Sequence, residues 1–244
     1  MPGFPHTEST VKLLEAAESA GVDFVELGVP FSDPLADGPV IQNASQIAIG
    51  NGITPAKVLE AVRDFRKRSR LPIILMGYMN SFLNGMGDDT FLRLSESGVD
   101  GVIIPDLSLE ESAAMKEKIE EADISLVLLI APTSGDERIQ RIDNFTSDFS
   151  YCVSVTGVTG ARKNLVSDEV VGFLGKVRKL ARKPYVVGFG ISTPDAARDI
   201  SKYADGIVVG SALLQQIAGE QPGKEAEAAR AFLKSLRDSV DTDR

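Results

Sequence analysis

Glu26 and Asp37 are the residues whose types and spacing most directly suggest chemistry. Glu26 lies in a short apolar run, Val22-Asp23-Phe24-Val25-Glu26-Leu27, with strand character. Asp37 follows eleven positions later, in a loop punctuated by Pro30, Pro34, Gly38 and Pro39. A carboxylate on a buried strand and another on the loop after it can converge on one cavity. There, unlike surroundings would separate their proton affinities, as acid–base catalysis requires. Taken singly, each also reads as an edge-strand Glu or a turn-capping Asp. The loop is too rich in proline and small residues for a generic turn.

A second constellation could hold an anion. Gly188-Phe189-Gly190-Ile191-Ser192 and Gly210-Ser211-Ala212 each follow an apolar run. Small residues let backbone N–H groups approach an anion, and a short helix begun at Ser211 would point its N-terminus at the same place. A third glycine-rich stretch, Thr156-Gly157-Val158-Thr159-Gly160-Ala161-Arg162, could close over the ligand and add the Gly160 amide. One such loop is often only a tight turn; three at successive strand ends favour a phosphate site. No Gly-x-Gly-x-x-Gly opens a helix after the first strand, so a dinucleotide is disfavoured. His6 is the only histidine and Cys152 the only cysteine, which excludes serine–histidine triads, multi-histidine metal sites and disulfides within the chain.

These residues need a frame, and the hydropathy pattern supplies one. Strand-like runs at 23–27, 72–76, 101–105, 125–130, 150–155, 185–189 and 206–209 alternate with amphipathic segments at 9–20, 55–68, 109–121, 136–145, 167–182, 194–203 and 224–240. The strands are almost continuously apolar, as parallel strands covered on both faces are. A small-residue turn and an Asp recur before the runs that follow Asp23, Asp100 and Asp205. The chemically interesting residues all fall after strands, where a (β/α)8 barrel builds its active site. The pattern predicts an α/β chain with one domain over residues 1–244, a TIM-type barrel. It contains seven strands, because the chain opens at Met1-Pro2-Gly3-Phe4-Pro5, which reads as the loop after an absent first strand.

Composition narrows the partners. The chain has 244 residues, 43% hydrophobic and 25% charged, with net charge −9 and no basic run, so nucleic acid and anionic membranes are poor partners. No apolar stretch approaches a membrane span of about 20 residues, and the N-terminus is too polar for a signal peptide. With the single cysteine, this points to the cytoplasm.

The stretch Glu26-Leu-Gly-Val-Pro-Phe-Ser-Asp-Pro-Leu-Ala-Asp-Gly-Pro39 resembles the signature of the tryptophan synthase α subunit family. The resemblance continues through Met76-Gly-Tyr-Met-Asn80, Pro105-Asp106-Leu107, Ala131-Pro132-Thr133, Val155-Thr-Gly-Val-Thr-Gly160, Gly188-Phe-Gly-Ile-Ser192 and Gly210-Ser211. It implies a lyase that splits indole-3-glycerol phosphate into indole and glyceraldehyde 3-phosphate, paired in an α2β2 complex with a β subunit that carries pyridoxal phosphate. The α subunit itself would need no cofactor and no metal. The resemblance makes Glu26 the general acid–base and Asp37 the carboxylate that accepts the indole N–H. Tyr151 stands near the catalytic Glu, Tyr78 lies at the substrate site, and Thr159 orients the Asp. Gly160, Gly190, Gly210 and Ser211 are expected to hold the phosphate, while Phe189 and Leu75 sandwich the ring. Asp106 and Asn80 would face the partner side, and Asp33 and Pro34 would contact the β subunit. Family members carry a helix and a strand before the segment matching Pro2–Pro5. Two other readings remain open from the residues: a different phosphate-binding barrel lyase or isomerase, and a non-catalytic regulatory subunit.

Overall fold

In the computed structural model, residues 1–87, 89–153, 167–188 and 190–242 are described. Their elements run in chain order as α1 (Ser9–Ser19), β1 (Val25–Gly28), α2 (Pro39–Gly50), α3 (Pro55–Arg66), β2 (Ile73–Met76), α4 (Met79–Met86), α5 (Thr90–Glu96), β3 (Gly101–Ile103) and α6 (Leu109–Glu121). They continue with β4 (Ser125–Ile130), α7 (Asp136–Phe145), β5 (Ser150–Cys152), α8 (Asp168–Leu180), β6 (Tyr185–Val187), α9 (Pro194–Ser201), β7 (Gly206–Ile207), α10 (Ser211–Ala218) and α11 (Glu225–Asp241). The seven strands form one parallel sheet in sequential order from β1 to β7. The expected α/β architecture and its seven strands are therefore present. β1 and β7 are the edges of the sheet.

Helix starts follow from capping chemistry. Thr54 and Thr193 each accept a backbone N–H and precede a proline at the first helical turn. Ser108 and Glu111 form a reciprocal capping box at α6. The sequence reading missed α2, α4 and α5. α2 hides behind the proline-rich loop, and α4 and α5 are short helices broken by Gly87 at φ 79°.

Strand alternation divides the apolar residues into two layers. Ile73, Leu75, Val102, Leu126, Leu128, Cys152 and Val187 face outward into the main core beneath the helices. Ile74, Ile103, Val127, Tyr151 and Val186 face inward, joined by Phe24, Met76, Leu129 and Val208. Leu75 therefore packs under the helices and cannot wall an indole pocket, contrary to the expectation from sequence. Its neighbours Ile74 and Met76 turn inward instead. No helix among the described residues is long and apolar enough to cross a membrane.

Candidate active site

Glu26 sits on β1, level with Ile74 on β2. Alternation sends its side chain inward, away from the outward Leu27. The Tyr151 hydroxyl on β5 donates to its carboxylate, and its Oε1 is buried without a hydrogen-bond partner. Burial pushes the Glu26 carboxyl up to about 8, and the Tyr151 hydrogen bond only partly offsets that. At neutral pH this group is largely protonated, as a proton donor must be. Burial likewise drives the Tyr151 phenol well above its ordinary value, with the Glu26 charge adding to the effect. Tyr151 thus stays a hydrogen-bond donor.

The place of Tyr151 depends on Gly188 after β6. A Cβ there would lie 1.8 Å from the Tyr151 hydroxyl oxygen and 2.3 Å from Cζ. Only glycine leaves room for the ring to reach Glu26.

Asp37 is delivered by the loop between β1 and α2, which is clamped at several points. The Phe31 amide donates to Ser45 Oγ on α2, whose hydroxyl donates back to the Phe31 carbonyl, each at 2.8 Å. The Ala36 amide donates to the Tyr78 hydroxyl at 2.9 Å, and the Phe31 and Tyr78 rings stack with centroids 5.2 Å apart. Gln42 Nε2 donates to the Asp37 carbonyl at 2.9 Å. The Tyr78 hydroxyl also donates to the Asp37 carboxylate. Burial raises the Asp37 carboxyl above its ordinary value and the Tyr78 hydrogen bond opposes the rise. Tyr78 itself is pushed up to about 12, first by burial and then by the Asp37 charge. Tyr78 therefore holds the loop and its carboxylate, a role that its type alone did not reveal.

Glu26, Asp37 and Tyr78 line one cavity of about 320 Å³, together with Gly28, Met76, Pro105, Val208 and Gly210. The two carboxylates thus share a space, and burial raises both carboxyls above their ordinary values, that of Glu26 to about 8. At the same ends of the sheet, Gly210 caps the N-terminus of α10, which starts at Ser211. A Cβ on Gly210 would meet open space, and Gly190 adopts φ 64°, a left-handed conformation suited to glycine. Free N–H groups at such a helix start can receive an anion. Thr159, Gly160 and Phe189, along with the rest of the 156–162 loop, lie outside the described residues.

Asp106 accepts the Met79 amide at 2.9 Å and so tethers the start of α4. Asn80 and Asp33 are exposed. Leu35 stands 94% exposed at the tip of the Asp37 loop, a large apolar residue that sequence reasoning passed over. Among the described residues, no cluster of His, Cys, Asp and Glu is arranged to hold a metal ion.

A family model described as "Tryptophan synthase alpha chain" matches residues 1–241. A tryptophan synthase alpha chain from Pelodictyon phaeoclathratiforme is 47% identical, over 97% of this chain and 92% of its own length. One from Dehalococcoides mccartyi is 43% identical, over 98% and 92%. Among solved structures, the tryptophan synthase subunit alpha of Legionella pneumophila superposes with a TM-score of 0.89 at 34% identity, over 98% of this chain and 90% of that one. A Pyrococcus furiosus chain, from work on mutual activation in the tryptophan synthase α2β2 complex, gives a TM-score of 0.89 at 36% identity, over 97% and 94%.

Proposed function

The chain belongs to the tryptophan synthase alpha family, lyases of tryptophan biosynthesis, and on that premise we propose that its single domain cleaves indole-3-glycerol phosphate with Glu26 and Asp37. Reversing the aldol-type bond requires a proton on the indole ring carbon, removal of a proton from the glycerol hydroxyl, and stabilisation of charge at the ring nitrogen. Glu26, protonated at neutral pH, gives its proton to the ring carbon. The carboxylate so formed then takes the hydroxyl proton as the carbon–carbon bond breaks. Asp37 accepts the indole N–H and stabilises the indolium-like intermediate by its charge. The amides of Gly190, Gly210 and Ser211, with Gly160, bind the phosphate.

The observation that carries this reading is the buried Glu26 carboxyl, with one oxygen unpartnered in a cavity that Asp37 also lines. A buried acid raised to about 8 would be a costly ornament in a purely regulatory subunit. The chemistry uses only carboxylates and amides, so this chain acts without a cofactor. By analogy with the α2β2 complex of the Pyrococcus furiosus relative, the chain pairs with a β subunit; the family resemblance makes that subunit the carrier of pyridoxal phosphate that receives the indole, with the cytoplasm as the setting. The exposed Leu35 and Asp33 at the loop tip suit a docking surface that reports on Asp37.

Steady-state indole release, measured with and without a β subunit, tests the assignment. Glu26→Gln and Asp37→Asn are each expected to lower turnover by about 10²- to 10⁴-fold with the fold retained. Normal turnover in either variant removes that residue from the mechanism.

A further inference from the structure

The turn that carries Asp37 has little packing to hold it. Leu35 at its crest is 94% exposed, and Ala36 beside it is exposed as well. The backbone closes the turn where the Asp37 amide donates to the Pro34 carbonyl at 3.1 Å. One turn bond at a water-exposed crest is a weak constraint. A working carboxylate needs a firmer one, because a displacement of about 1 Å can cost on the order of 10²-fold in rate.

The start of α2 supplies that constraint. Gln42 Nε2 carries two N–H groups. It donates to the Asp37 carbonyl at 2.9 Å and, at the longer distance of 3.4 Å, to the Pro34 carbonyl. One side-chain amide therefore bridges the first and last residues of the turn. Gly38 is the N-cap of α2, so the Asp37 carbonyl lies outside the helix's own ladder and is open to this donor. Ser45, three residues on and so on the same face as Gln42, fixes Phe31 at the other end of the loop. The helix that presents both side chains is itself anchored. Val40, Ile41 and Ala44 share one apolar cluster with Leu213, Leu214 and Ile217 of α10, and Ala44 is fully buried. Since α10 begins at Ser211, the Asp37 turn and the phosphate amides refer to one pair of packed helices.

We propose that Gln42 is a positioning residue for the cleavage: its side-chain amide ties both ends of the Pro34–Asp37 turn to α2 and so fixes where the Asp37 carboxylate meets the indole N–H. The role rests on Asp37 being the acceptor of that N–H. Gln42 touches no reacting atom and acts through Asp37. It holds the main chain of the residue, while the Tyr78 hydroxyl holds the carboxylate. Burial raises the Asp37 carboxyl, and the Tyr78 hydrogen bond opposes the rise only while the two groups stay in register. Among the described residues, Tyr78 faces Asp37 by that bond, Glu26 of β1 lines the same cavity, and Asp106 acts on Tyr78 by charge. Gln42 adds no charge to this set, so its removal works by geometry.

Gln42→Met removes both N–H groups and keeps the length of the side chain, and the whole chain is assayed for indole release from indole-3-glycerol phosphate. A fall of about tenfold is expected, the worth of one hydrogen bond, and it should lie in kcat with KM little changed. The rising limb of the pH–rate profile, set by ionisation of Asp37, should move to higher pH while the Glu26 limb stays in place. Hydrogen exchange at the Asp37 amide should quicken, because the bond to Pro34 is no longer braced. In an Asp37→Asn background the same substitution should cost nothing further, since Gln42 acts only through that carboxylate. Unchanged kcat and limb in Gln42→Met, or an equal loss in the Asp37→Asn background, would overturn the positioning role and leave Asp37 in the mechanism. Normal turnover in Asp37→Asn alone would instead remove the assignment of Asp37, and the role of Gln42 with it.

Discussion

The proton affinity of Glu26 is set by two opposing influences, and they can be separated. Burial raises its carboxyl, while the Tyr151 hydroxyl, by donating to the ionised form, lowers it. In the proposed mechanism the first step needs this proton, so kcat/KM is expected to fall as pH rises through about 8. Tyr151→Phe removes the only opposing influence, so that falling limb should move to higher pH; a pH–rate profile checks the sign. A limb that stayed in place would mean that another group governs it. The same raised value makes Glu26 destabilising to the fold when ionised: its contribution is fully favourable below its unfolded value and is lost as pH rises through about 8. Gly188 belongs to this unit, because a Cβ at 1.8 Å from the Tyr151 oxygen displaces the ring. Gly188→Ala should therefore lower kcat at least as far as loss of Tyr151 does, with the fold intact by circular dichroism. The convergence of Glu26 and Asp37 on one cavity was legible in the sequence from type and spacing. The dependence of Tyr151 on Gly188 was not, because it arises between two strands that meet only in the sheet.

At the scale of elements, the loop between β1 and α2 is the decisive piece. Its prolines and glycine announced a shaped loop, but not what shapes it. Ser45 of α2 and Tyr78 after β2 do so, through hydrogen bonds to Phe31 and Ala36. Both lie far from Phe31 and Ala36 in sequence, and α2 itself escaped detection. Tyr78→Phe keeps the ring stack on Phe31 and removes only the hydroxyl. The Ala36 amide then loses its acceptor and Asp37 loses the donor that holds its carboxyl down. The expected result is a lower kcat and a rising limb of the pH–rate profile displaced upward, with the Glu26 limb unmoved. Asp106, whose charge also bears on Tyr78, stays in place through its bond from the Met79 amide. If the variant lost activity with both limbs unchanged, Tyr78 would be holding the loop alone and not the carboxylate.

For the molecule as a whole, alternating apolar runs were enough to read seven parallel strands, because strands buried on both faces cannot be anything but apolar. Their inward or outward direction was not readable from those same runs, and Leu75 went to the wrong face for that reason. The order of the strands leaves stability unevenly distributed. β2 to β6 have a partner on each side, whereas β1 and β7 have one each. The outer belt compensates: α11 packs on α1, α9 and α10, and Leu236 of α11 is 4% exposed within the main core. Edge strands paired on one side only should open locally before the sheet does. Amide exchange is therefore expected to be fastest at β1 and β7 and slowest from β2 to β6. Leu236→Ala should cost about 2–5 kcal/mol of unfolding free energy as a core truncation. Since Leu236 lines the same cavity as residues of β1 and β7, that variant should quicken exchange at β1 and β7 more than at β4. Uniform quickening across all seven strands would mean that the sheet opens as one unit, and that the belt of helices stabilises the whole sheet and not its edges.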